Sequence, residues 1–427
     1  MTDLSGVLDD LAWRGLIAES TDPDALRSAF AAGPVTYYCG FDPTAPSLHF
    51  GNLVQLVTMR RLQLAGHRPI GLVGGATGLV GDPSGKSVER AFNEAEVVAG
   101  WVERIRSQVE RYLSFEGENA AIIANNLDWT GPMSAIEFLR DIGKHFTVSR
   151  MLAKESVAAR LADEGISYTE FSYQIMQALD YLELYRRYGC TLQTGGSDQW
   201  GNLTAGVDLI RRADGASVHA LATPLLTRAD GSKYGKTEGD TIWLDPALTS
   251  PFAFYQYFLN VEDSGVGSLL RTFSFRTHEE IEALEATAAE RPESRAAQKA
   301  LAEELATLVH GAGETRRAIA ASAALFGGAE LAGLDETTVS AAVAELPHAT
   351  LRAGEPVPSV LELLVATGLA ESRGDARRLI TEGGAYLNNR KVTDPIAAPS
   401  STDLIHGRWL ILRRGKRRLA VAELTPA

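Results

Sequence analysis

The 427-residue sequence predicts an α/β fold that opens with a doubly wound parallel sheet, and three observations carry that reading. Short apolar strands alternate with longer amphipathic helices from Val35 to Arg212. Three loops rich in glycine and polar residues each join a strand to a helix, where such sheets bind ligands. Beyond about residue 245 the alternation gives way to an alanine-rich helical stretch and a small basic module. The expected organisation is a sheet domain over 1–245 with a helical insertion at about 129–165, an α-helical domain over 246–345, a linker over 346–358 and a small α+β module over 359–427.

In chain order, Asp9 to Ala18 and Asp22 to Ala32 read as helices, and Val35 to Phe41 as a buried strand. Asp42-Pro43-Thr44-Ala45-Pro46-Ser47 breaks it into a loop, and His49-Phe50-Gly51-Asn52 opens a helix to Ala65. A polar residue and a glycine at a helix N-terminus make an anion site, because the free N–H groups and the dipole both favour phosphate. Arg68 to Gly74 is a second strand, followed by the glycine-dense loop Gly74 to Lys86. Glu94 to Leu113 is an amphipathic helix and Ala120 to Ala124 a third strand. Trp129 to Gly165 interrupts the alternation with a helical segment carrying Lys144, His145, Arg150 and Lys154.

Tyr168 to Arg187 is a long apolar helix on which Tyr173, Gln177 and Asp180 share one face at i, i+4, i+7. Spacing alone leaves a solvent-facing stripe and a ligand-facing one equally open. Cys190 to Thr194 is a strand that runs through Gly195-Gly196-Ser197-Asp198-Gln199 into a helix ending near Arg211 and Arg212. Ala229 to Thr237 is a polar loop with Lys233 and Lys236 three apart. Pro251 to about Glu345 is helical, and Pro347, Pro356 and Pro358 mark a linker. Val360 to Gly383 gives two short helices, Ala385 to Val392 a hairpin, Arg408 to Arg413 a strand, and Arg413-Arg414-Gly415-Lys416-Arg417-Arg418 a basic turn.

Two cysteines, Cys39 and Cys190, make no disulfide framework, and no metal-ligand spacing occurs, so no tightly bound protein metal is expected. No apolar run reaches the length of a membrane span, and the N-terminus lacks the pattern of a signal peptide, so a cytoplasmic protein without membrane or DNA partners is expected. The net charge is −13, but residues 351–427 hold 12 Lys and Arg against 8 Asp and Glu, which leaves −17 on the residues before them. A basic module on an acidic body suggests a local polyanion contact. No nucleophile-base pair is evident, and Cys39 sits in an apolar strand where the thiolate is disfavoured. Anion-cradling loops with Thr44, His49, Lys233 and Lys236 suit phosphoryl or nucleotidyl transfer, where positioning and charge stabilisation dominate.

His49-Phe50-Gly51-Asn52 resembles the first signature of class I aminoacyl-tRNA synthetases, and Lys233-Tyr234-Gly235-Lys236-Thr237 resembles a diverged form of the second. With Tyr38-Cys39-Gly40-Phe41-Asp42-Pro43-Thr44, nearly the whole chain is similar to the bacterial tyrosyl-tRNA synthetase family. The resemblance implies a Rossmann-like catalytic domain, an anticodon-arm helical domain, a small RNA-binding module, a homodimer in the cytoplasm, and tyrosine, ATP with Mg²⁺ and tRNA(Tyr) as substrates. It implies that Tyr38 and Asp180 bind the phenol, that Asp82, Tyr173 and Gln177 bind the α-ammonium, and that Asp42, Gln193 and Gln199 line the carboxylate and ribose side. Cys39, Gly40, Gly51, Asn52, Gly196 and Asp198 match the adenosine site. Thr44, His49, Lys86, Arg90, Lys233 and Lys236 match groups around the triphosphate. Asn52 stands where relatives often carry a second histidine, so it can donate to a ribose oxygen but cannot carry a charge. Candidate tRNA contacts are Lys144, Arg150, Lys154, Arg211, Arg212, Arg390, Lys391, Arg413, Arg414, Lys416, Arg417 and Arg418. Competing readings are the tryptophan enzyme, a non-catalytic RNA-binding relative and a small-molecule nucleotidylyltransferase. The second would have lost His49, Lys233 or Lys236, and the third leaves the basic module unexplained.

Overall fold

The computed structural model describes residues 4–82, 94–152, 157, 165–227, 234, 241–327, 331–344, 346–415 and 418–425. They form two units, Met1–Asp245 with Gly267–Ile281, and Pro246–Val266 with Glu282–Ala427.

The first unit is built on a six-stranded sheet, β1 (Glu19–Ser20), β2 (Thr36–Phe41), β3 (Arg68–Val73), β4 (Ile122–Asn125), β5 (Cys190–Gly196) and β6 (His219–Thr223), in the order β1-β6-β5-β2-β3-β4. All pairs are parallel except β1 with β6. The strands are short and largely buried, as a sheet covered on both faces requires. From β2 the chain runs outward to β3 and β4, then returns to the other side of β2 as β5 and β6. That reversal opens a crevice at the carboxyl ends of β2 and β5. The helix Phe50–Leu64 follows β2, the helix Tyr168–Tyr188 precedes β5, and the helix Trp200–Asp214 follows β5. The insertion is a run of short pieces, including a π-helical turn at Phe138–Ile142, rather than one long helix.

Segment 267–281 is fastened to this unit by two arginines that are each 6% exposed. Arg14 donates to the carbonyls of Arg271, Ser274 and Arg276 at 3.0, 2.8 and 3.0 Å. Arg61 donates to those of Thr272 and Ser274 at 3.3 and 2.5 Å. These lie at and just past the C-terminus of the helix Asp263–Phe273, where cations meet unpaired carbonyls and the negative end of the dipole. Phe273 packs on Phe50, centroids 4.8 Å apart.

The second unit joins helices, among them Pro251–Leu259, Ala296–Gly327 and Glu336–Val343, to a sheet of β7 (His348–Arg352), β8 (Ala385–Leu387), β9 (Arg390–Lys391), β10 (Trp409–Arg414) and β11 (Arg418–Thr425), in the order β7-β11-β10-β8-β9. Alternate residues point to opposite faces. Leu410, Leu412, Ala420 and Ala422 face a core with the helices Val360–Ala366 and Arg373–Thr381. Trp409, Ile411, Leu419 and Val421 face Phe252, Ala321, Leu325, Val339 and Val343. The stretch 346–358, expected as a linker, therefore holds β7, which pairs with β11 and buries Leu351. The hairpin β8–β9 turns through Asn388 and Asn389 at φ 47° and 65°, the left-handed pair that a two-residue turn of this kind needs.

Candidate active site

A cavity of about 720 Å³ occupies the crevice at the ends of β2 and β5. It is lined by Tyr38, Cys39, Gly40, Asp42, Thr44, His49, Gly51, Asn52, Asp82, Tyr173, Gln177, Asp180, Gln193, Gly196, Asp198 and Gln199. Residues widely scattered in sequence thus meet in one place, and the stripe Tyr173, Gln177, Asp180 faces a cavity rather than solvent. Lys86, Arg90, Lys154, Lys233, Lys236, Lys416 and Arg417 lie outside the described residues.

The cavity is lined by buried groups short of hydrogen-bond partners. The Tyr38 hydroxyl and the side-chain oxygens of Gln177 and Gln193 are buried and have no partner among the described residues. Buried polar groups are seldom left so, since each costs about 1–3 kcal/mol. Two acceptors and a hydroxyl waiting together suit a ligand that brings N–H and O–H groups. Asp180, 2% exposed, accepts from Asn126 Nδ2 at 3.0 Å and from Trp129 Nε1 at 2.8 Å. Burial pushes its carboxyl up to about 7, against the pull of those two donors. Burial also raises the Tyr38 phenol far above its ordinary range, with the Asp180 charge adding to the effect.

Two more carboxylates line the cavity. Asp42 accepts from Thr77 Oγ1 and from the Tyr173 hydroxyl, both at 2.7 Å. Asp82 accepts from Gln199 Nε2 at 2.6 Å, and Asn202 donates to Gln199 Oε1 at 3.0 Å. Gln199, expected on the ribose side, thus shares a hydrogen bond with an expected ammonium binder.

At the helix N-terminus, the His49 N–H donates to Asn52 Oδ1 at 3.0 Å, and the Phe50 N–H to the Ile242 carbonyl at 2.8 Å. His49 forms an antiparallel bridge with Trp243. A Cβ at Gly51 would stand 2.9 Å from the His49 ring, so the histidine itself demands glycine there. A Cβ at Gly196 would stand 2.6 Å from Asp198 Oδ1. Burial pushes the Cys39 thiol up to about 12, which leaves it no nucleophile.

The basic candidates divide. Arg211, Arg212 and Arg150 converge on Asp208 at 2.8, 3.6 and 4.0 Å, with Lys144 near enough to His145 to lower its pKa after burial has done so. Arg390, Lys391 and Arg418 are exposed. Arg413 lies 4.1 Å over the Tyr386 ring. Arg414 is engaged inward, on Asp375 at 2.7 Å and the Leu369 carbonyl at 2.8 Å. Arg373, Arg377 and Arg378, which were not among the sequence candidates, are also exposed, at near-helical spacing on one short helix. Sequence reasoning missed Thr77, Asn126, Trp129 and Trp243, for which no local pattern exists.

Residues 31–327 match the family model for tRNA synthetases class I (W and Y), and residues 338–422 match that for a tyrosine–tRNA ligase SYY-like C-terminal domain. The chain belongs to the class I tRNA synthetases. It is 64% identical over 429 residues to a tyrosine–tRNA ligase of Streptomyces coelicolor, covering 100% of both chains. It is 62% identical over 424 residues to one of Acidothermus cellulolyticus, covering 98% of this chain and 99% of that protein. A C-terminally truncated mitochondrial tyrosyl-tRNA synthetase of Aspergillus nidulans has the same fold, with a TM-score of 0.67 and 30% identity over 73% of this chain and 92% of the other. Among the described residues, no helix is long and apolar enough to cross a membrane.

Proposed function

We infer that the protein is a tyrosine–tRNA ligase. The Tyr38 hydroxyl, without a partner among the described residues, lines one cavity with the Asp180 carboxylate and carries this reading, because a phenol O–H can pair with the first and give the second a further donor. An indole N–H could satisfy Asp180 but could not donate and accept at once. The α-ammonium meets Gln177, Tyr173 and Asp82, an acceptor-rich corner suited to a cation. The tyrosine carboxylate then attacks the α-phosphorus of ATP, the bond from that phosphorus to the bridging oxygen breaks, and pyrophosphate leaves. The positive end of the helix Phe50–Leu64, with Thr44 and His49, favours the phosphates, and Lys86, Arg90, Lys233 and Lys236 supply positive charge. In the second step a terminal ribose hydroxyl of tRNA(Tyr) attacks the acyl carbon, and AMP leaves as the hydroxyl proton is released.

Magnesium enters as part of the ATP substrate. Asp42 and Asp82 are already hydrogen-bonded, so phosphate oxygens and water supply most of its ligands. The insertion supports a homodimer, because Ile136, Leu139 and Val148 expose 70, 52 and 59% of their surfaces there. The clusters around Asp208 and on the C-terminal module support contacts to the two ends of a tRNA, in a cytoplasmic enzyme. ATP–pyrophosphate exchange with tyrosine, tryptophan and phenylalanine tests the reading: tyrosine alone should drive rapid exchange, and a preference for tryptophan would overturn it.

A further inference from the structure

A hydrogen-bonded chain links the two sides of the cavity through residues to which no role has yet been given. Asn126, fully buried, donates from Nδ2 to Asp180 Oδ2 at 3.0 Å and to Thr77 Oγ1 at 2.9 Å, and its Oδ1 accepts from the Ala76 N–H at 2.7 Å. Thr77, also buried, donates to Asp42 Oδ1 at 2.7 Å. The polarity is fixed by the groups themselves. The Asn126 amide nitrogen can only donate, so Thr77 accepts from it and turns its single hydroxyl proton to Asp42. Gly74 keeps this bond open, because a side chain there would collide with both the Asp42 carboxylate and the Thr77 hydroxyl. Asp42 itself begins the loop that leads from β2 to His49.

We propose that Thr77 is a positioning residue that, through Asn126, couples the seating of the substrate phenol at Asp180 to the orientation of Asp42 beside the reacting end. The proposal rests on the reading of this cavity as a tyrosine site. When the phenol donates to Asp180, the carboxylate stays aligned with Asn126, and Thr77 holds Asp42 in the same register. A substrate without the hydroxyl leaves Asp180 held by Asn126 and Trp129 alone, so its seating passes nothing further along the chain to Asp42. Part of the preference for tyrosine over phenylalanine then lies in kcat rather than in KM.

The test measures pyrophosphate exchange of the full-length enzyme with both amino acids, in Thr77→Val and Thr77→Ser. Valine keeps the volume and removes the hydroxyl, and serine keeps the hydroxyl. Thr77→Val should lower kcat with tyrosine roughly tenfold, while kcat with phenylalanine stays within about twofold and serine restores the difference. Equal proportional losses for the two substrates, or failure of serine to restore the gap, would overturn the coupling. Should the valine variant misfold, Thr77→Ala against Thr77→Ser gives the same comparison. Absence of tyrosine-driven exchange in the unaltered enzyme would instead remove the functional reading and this proposal together.

Discussion

The indole N–H of Trp129 donates to Oδ1 of Asp180 at 2.8 Å, and this bond opposes the burial that raises the same carboxyl to about 7. Trp129→Phe removes a donor that favours the ionised form, so the Asp180 pKa should rise further. A phenol donates best to an ionised carboxylate, so kcat/KM for tyrosine should fall as pH drops through about 7 in the parent and from a higher pH in the variant. Identical midpoints would show that Trp129 does not tune this group. For stability, the folded pKa lies above the unfolded value of about 3.9, so the contribution is fully present at low pH and is lost as pH rises through about 7. The change in Tm on Asp180→Asn should therefore be more favourable at pH 8 than at pH 5.

Tyr38→Phe tests the other side of the phenol site. The Tyr38 hydroxyl has no partner among the described residues, so its removal leaves the unliganded enzyme undisturbed and weakens tyrosine alone. The preference for tyrosine over phenylalanine should narrow by roughly 1–3 kcal/mol, about 5- to 150-fold. Unchanged discrimination in kcat/KM would remove Tyr38 from the phenol site.

Lys233 and Lys236 are expected to meet charge that develops on the leaving pyrophosphate. Lys236→Ala should slow adenylate formation on the order of 10²-fold, with tyrosine affinity little changed. Rapid-quench measurement of the first turnover separates the two. Matching losses in ATP ground-state affinity and in rate would mean that the lysine binds substrate and transition state alike.

The C-terminal module is better probed by charge than by truncation. A cut within 346–358 would strip the cover from Phe252, Ala321, Leu325 and Val343, because Trp409, Ile411, Leu419 and Val421 complete that core. Substituting Arg373, Arg377 and Arg378 by Gln leaves the core intact, since all three are exposed. Pyrophosphate exchange should stay unchanged while tRNA charging weakens. The slope of log affinity against log salt should become shallower by roughly 0.7–0.9 for each phosphate that the protein no longer neutralises. Undiminished charging at physiological salt would place the tRNA contact elsewhere.

The sheet, its order of helices and most of the cavity were legible in the sequence, because apolar periodicity and strand–loop–helix joints are local signals. Four strands, β1, β6, β7 and β11, were not. β6 reads His-Ala-Leu-Ala-Thr, short and poor in β-branched residues, and it is fixed only by pairing with β5. β7 lies between prolines that signal a linker, and its strand character comes from β11. The same limit applies within the site. Tyr173, Gln177 and Asp180 announce one another by helical spacing, but Thr77, Asn126 and Trp129 reach Asp42 and Asp180 only because the fold brings β2, β3 and β4 side by side.

The arginine clasp on residues 271–276 bears on how the chain is made. The first unit closes only when segment 267–281 is in place, yet residues 246–266 ahead of it belong to the second unit. During synthesis the sheet can assemble early, but Arg14 and Arg61 lack these carbonyl partners until that later segment leaves the ribosome, a few seconds on at ordinary elongation rates. For that interval the nascent sheet domain is a natural client for chaperones, and a stalled chain ending before Gly267 should be more readily cleared by proteases than one ending after Ile281.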